Sequence, residues 1–93
     1  LPLPRGTGDD GFLAALAQAV EKVQAWGADT LVLASGLDAF EGDPFAGLTV
    51  STPGFAKIGR AVQAMVLPTV IVQEGGYLCP ELGRNLQAIL QAW

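Results

Sequence analysis

The chain has 93 residues, 51% of them hydrophobic, and a formal net charge of −4, which suits one small domain or part of a larger one. Its five basic residues, Arg5, Lys22, Lys57, Arg60 and Arg84, do not cluster, so the electrostatic footprint of nucleic-acid binding is missing, and no apolar run approaches the ~20 residues of a membrane span. One cysteine, Cys79, excludes an internal disulfide and a multi-cysteine metal site, and the chain has no histidine.

No signal peptide or lipidation motif is visible, and a reducing, cytoplasmic setting is the expectation. The chain opens Leu-Pro-Leu-Pro without a methionine, as a truncated or processed product would. Leu1 to Pro4 reads as the end of a strand. Thr7, Asp9 or Asp10 is then placed to cap a helix by accepting its free N–H groups. Phe12, Leu13, Leu16, Ala19, Val20, Val23 and Trp26 recur at helical spacing, and Gly27 stops that helix.

Thr30 to Ser35 reads as a strand apolar on both faces, the pattern of a parallel strand covered by helices on either side. A long loop follows from Gly36 to Ser51. Thr52 is expected to cap a second helix with Pro53 at its first position, and Phe55, Ile58, Val62 and Met65 form its buried stripe. Thr69 to Gln73 reads as a second buried strand. Pro80 starts a third helix, with Leu82, Leu86, Ile89, Leu90 and Trp93 facing inward. Alternating strands and helices imply a parallel α/β sheet. Two strands and a stub are few for such a sheet, and elements absent from it would leave apolar surface exposed. No internal boundary divides residues 1–93.

Both strands open into loops that a parallel sheet places at its carboxyl edge, where such folds keep their chemistry. Asp38 follows the first strand and reads either as a turn-capping carboxylate or as a metal ligand. Tyr77 follows Gly75-Gly76 and reads either as a ring packed over a tight turn or as a phenol donating to an oxyanion. In Gly42-Asp43-Pro44-Phe45, Asp43 bonds its own backbone and looks structural. Phe45 either closes a core edge or lines a channel. The glycine-rich Arg5 to Asp10 turn lacks the lysine and spacing of a phosphate loop. Cys79, without a histidine partner, is a poor nucleophile.

Taken together, PLPRGTGDD with its helix, ASGLDAFEGDPFAGLTVSTPGF, and PTVIVQEGGY with its helix resemble, over essentially all 93 residues, the carboxyl-terminal part of the histone-deacetylase-like zinc amidohydrolases, the acetylpolyamine amidohydrolase branch above all. The resemblance implies a three-layer parallel sheet with flanking helices, of the arginase and deacetylase kind, present here as a partial fold. It implies hydrolysis of an N-acetyl amide, of acetylpolyamine or acetyl-lysine type, with Zn2+ as cofactor and an acetylated amine as substrate. It places Asp38 as one of three zinc ligands and Tyr77 as the residue that polarises the substrate carbonyl. Gly75 and Gly76 would line the slot for the acetyl-bearing chain, and Phe45 would face its entrance.

The sequence departs from the family pattern in lacking the histidine pair and the Asp-x-His zinc ligands. The expectation is therefore a carboxyl-terminal portion that is inactive alone, does not hold zinc stably by itself, and associates with the missing amino-terminal portion or with itself. The alternative is a free-standing, non-catalytic α/β module that works through self-association or partner binding, since incomplete sheets have edges that pair.

Overall fold

The computed structural model describes residues 1–45 and 47–93. The elements, in chain order, are α1 (Asp9–Trp26), β1 (Leu31–Ser35), α2 (Thr52–Gln63), β2 (Thr69–Gln73) and α3 (Leu82–Leu90). The two strands pair in parallel, from Leu31 opposite Thr69 to Ser35 opposite Gln73. α2 forms the crossover between them and packs against both α1 and α3. This is the partial α/β fold that the alternation of apolar segments predicts. Among the described residues no helix is long and apolar enough to cross a membrane.

α1 ends as its sequence dictates: Gly27 adopts φ +80° and its N–H closes back on Gln24 and Val23, a left-handed turn that glycine takes without steric cost. Its start differs from expectation. Gly8 is the cap residue and no side chain caps the helix. The Asp9 carboxylate reaches instead to Ser51, accepting its backbone N–H at 2.8 Å and its hydroxyl at 2.7 Å. The cap of α2 is also one residue earlier than expected. Ser51 accepts the Gly54 N–H at 3.0 Å, while Thr52 is already helical and donates its hydroxyl to Asn85 Oδ1 on α3. Leu1 to Pro4 forms no strand, and Pro80 lies in the turn before α3.

The core is built from Leu37, Phe40, Val50, Phe55, Ile58 and Ile89, with Phe12, Leu13, Leu16, Leu82 and Leu86 packed partly against it. Each such aliphatic or aromatic side chain stabilises by about 1.5–3 kcal/mol when buried. Leu90 and Trp93, expected inward, are exposed, because the described elements that α3 meets lie on the Asn85 and Ile89 side. Met65 falls just past the end of α2 and is only partly covered.

Within the described residues β1 is covered on one face only, and the apolar surface expected of a partial sheet is exposed on the other. Leu31, Leu33 and Ser35 alternate with exposed Val32 and Ala34. Val32 is 67% and Val70 56% exposed. Leu33 and Ser35 share a cavity with Phe12 and Leu16 of α1, Phe55, Ile58 and Val62 of α2 and Ile89 of α3, whereas Val32, Val70 and Val72 on the other face are exposed.

Candidate functional site: the loops at the carboxyl edge of the sheet

The long connection from Gly36 to Ser51 is tied down by its own hydrophobic residues. Leu37 and Phe40 point into the core, and Phe40 bridges Val50. The Glu41 N–H donates to Val50 O at 3.0 Å and the Val50 N–H to Ala39 O at 3.0 Å. Further along, the Thr49 N–H donates to Thr7 O and the Gly6 N–H to Gly47 O, so the chain start fastens the loop from outside. A loop anchored in this way can hold a functional side chain at a fixed place.

Parallel pairing continues past the strands into both loops. The Glu74 N–H donates to Ser35 O at 3.0 Å, and the Leu37 N–H to Gly75 O at 2.8 Å. These bonds bring Asp38 against the glycine turn. A Cβ on Gly75 would lie 2.5 Å from Asp38 Cγ, and one on Gly36 would lie 2.7 Å from Asp38 Oδ1. The carboxylate occupies the space that side chains at those two positions would fill. Asp38 is exposed, and among the described residues none donates a hydrogen bond to its oxygens. Gly76 completes the turn at φ +132°, where a Cβ would also press on Leu37 Cβ at 2.8 Å.

Tyr77 and Phe45, from the two different loops, meet edge to face with ring centroids 4.7 Å apart and planes at 69°. Such a pair prefers this geometry and contributes about 0.5–1.5 kcal/mol beyond burial. Phe45 is 74% and Tyr77 47% exposed, so Phe45 closes no core edge within this chain, and both rings stand at the surface of the site.

Asp43 does more than the local turn bond its sequence context suggests. Its Oδ1 accepts the Phe45 N–H at 2.8 Å, the local turn bond that the sequence suggests. Its Oδ2 accepts the Tyr77 N–H, also at 2.8 Å, across 34 positions of sequence. The Asp-Pro-Phe run contains the first bond. Nothing in the sequence signals the second.

The residues of this edge do not make a zinc site by themselves. A catalytic zinc takes about three protein ligands. Among the described residues no group of three His, Cys, Asp or Glu side chains converges, and the chain has no histidine. Asp38 offers one open carboxylate and no more.

The family model for the histone deacetylase domain matches residues 1–93, and the chain belongs to that family. It is 38% identical over 88 residues to an acetylpolyamine amidohydrolase of Burkholderia pseudomallei, covering 95% of this chain and 26% of that protein. It is 34% identical over 90 residues to the acetylpolyamine amidohydrolase of Mycoplana ramosa, covering 97% and 26%. The crystal structure of the acetylpolyamine aminohydrolase from Burkholderia pseudomallei superposes with a TM-score of 0.94 at 36% identity, covering 99% of this chain and 27% of that one. The chain thus spans about a quarter of the length of these relatives.

Proposed function

We propose that this chain is the carboxyl-terminal segment, residues 1–93 without internal boundary, of a zinc-dependent deacetylase that hydrolyses N-acetyl amides. Acetylated amines are its substrate class, acetylpolyamines before acetyl-lysine because both relatives carry that name. A reducing, cytoplasmic setting suits the single cysteine. The observation that carries the reading is the packing of two loops into one edge: Asp38 nests against Gly75, and Tyr77, two residues on, stands beside Phe45.

In this reading Asp38 is one of three zinc ligands, the other two lying outside these 93 residues, as does the general base. Tyr77 donates its phenolic hydrogen to the amide carbonyl oxygen as negative charge develops there, a donor worth most where water is excluded. Gly75 and Gly76 line the slot for the acetyl-bearing chain, and their lack of side chains lets the turn pack directly on Asp38 and Leu37. Phe45 flanks the entrance. The bare sheet face around Val32 and Val70 is where the remaining part of the domain covers this segment. The same bare face favours a second reading, a non-catalytic module that buries it by self-association.

The test is a completed enzyme, in which residues 1–93 replace the matching quarter of the Burkholderia relative. Acetate release from an N-acetylated diamine is the readout. The deacetylase reading expects turnover, and Tyr77→Phe lowers it by about 10²–10³-fold, the usual cost of losing one oxyanion donor. A folded, zinc-loaded chimera that releases no acetate overturns the reading and leaves the association module.

A further inference from the structure

We infer that Asp43 is a positioning residue for Tyr77, an inference that rests on the deacetylase reading. Asp43 is only 6% exposed, and burying a carboxylate is costly unless its oxygens are satisfied. Both are. One holds the Phe45 N–H and the other the Tyr77 N–H, each at 2.8 Å. A single side chain therefore fixes the backbone of both loops at the residues whose rings meet 4.7 Å apart.

The second bond matters because of what precedes it. Tyr77 follows Gly75-Gly76, a pair without side chains, with a φ of +132° at Gly76 that glycine takes readily. The backbone bonds that hold this turn stop at Gly75 O, so the bond from the Tyr77 N–H to Asp43 is the one that fixes the residue carrying the phenol. Bonds from N–H groups to a carboxylate are about twice as strong as neutral ones, and this one acts on the residue's own backbone. Asparagine is nearly the same shape but has one acceptor oxygen, and its NH2 is a donor. In Asp43→Asn, one of the two backbone N–H groups therefore faces a donor and loses its partner.

The experiment uses the completed enzyme and a double-mutant cycle. Asp43→Asn is expected to lower kcat by about 10- to 100-fold, the scale on which a displacement of about 1 Å acts, with a smaller change in KM. In a Tyr77→Phe background the same substitution is expected to cost little more, because the hydroxyl that Asp43 aims is already gone. Hydrogen exchange over residues 74–79 is expected to quicken in Asp43→Asn. Equal losses from Asp43→Asn with and without the tyrosine hydroxyl would make Asp43 merely structural and overturn the inference, as would unchanged kcat. If the completed enzyme shows no turnover, the deacetylase reading fails instead. The exchange experiment then still judges the clasp, and unchanged exchange over 74–79 overturns it.

Discussion

Two aspartates five positions apart in the same loop are treated in opposite ways. Asp38, at the head of the loop, is exposed, rests on Gly36 and Gly75, and accepts no hydrogen bond from the described residues. Asp43, at the far turn, is buried and has both oxygens taken by backbone N–H groups. The first leaves its oxygens open to the surface; the second uses both to hold backbone. Chemical potential at this edge is thus better judged from what each carboxylate already holds than from its residue type. Asp9 sharpens the contrast: it uses both oxygens on Ser51, but it holds the head of α2 rather than the two loop rings.

The largest effect expected from breaking this comparison is at Asp38. Gly75→Ala drives a methyl group into the carboxylate, since the Cβ position lies 2.5–2.6 Å from Asp38 Cγ, Oδ1 and Oδ2. Turnover of the completed enzyme should fall by about 10²-fold, while thermal unfolding changes far less, because the carboxylate is exposed and can swing away. A Gly75→Ala enzyme of unchanged rate would separate Asp38 from the chemistry.

A smaller effect is expected at Asp9. Asp9→Ala leaves the Ser51 N–H and hydroxyl without their carboxylate partner while Ser51 still caps Gly54, and should cost about 1–2 kcal/mol of stability, measured by urea unfolding, with no loss of turnover beyond that owed to unfolding. Burial alone would raise the Asp9 pKa, but the hydrogen bonds from the Ser51 hydroxyl and backbone, with the charge of Lys57, outweigh it and bring the carboxyl below its ordinary value. A carboxyl lowered in the folded state binds its proton less readily there than in the unfolded chain. Its contribution is therefore complete above the ordinary carboxylate range and is lost as pH falls through the lowered folded value. The acid limb of the stability curve should flatten in Asp9→Ala. An unchanged limb would mean that other carboxyls set it.

The smallest effect belongs to neither edge. Val66, in the turn after α2, adopts φ +55°, a conformation in which a β-branched side chain is strained by about 1–2 kcal/mol. It is exposed, so Val66→Gly loses little packing. After the entropy cost of glycine, a net gain of about 0.5–1 kcal/mol is expected from urea unfolding, with turnover unchanged. A loss of stability would show that the valine makes a contact worth more than the strain.

Much of this architecture is legible in the sequence because apolar spacing reports on burial. β2 runs from Thr69 to Gln73 as its residues suggest, β1 begins one residue later than expected, and Gly27 ends α1. The cap of α2 was displaced by one because Ser51 and Thr52 are both good cap residues, and the choice falls to tertiary contacts: Asn85 claims the threonine hydroxyl. Covered and bare sheet faces could not be told apart, since Val32 and Val70 are apolar whether or not a layer lies over them. At the site, Asp38 and the glycine turn stand out locally as strand-end features. The Asp43 clasp does not, because its partner is 34 positions away and is a backbone N–H, which leaves no trace in residue type.

On the proposed reading, this edge carries the tyrosine of an amide-hydrolysing site. The most direct measurement is acetate release from an N-acetylated diamine by the completed enzyme and by its Tyr77→Phe variant, at equal zinc content. Turnover is expected in the first and a loss of about 10²–10³-fold in the second. Equal rates in the two would mean that the Tyr77 hydroxyl takes no part in the reaction.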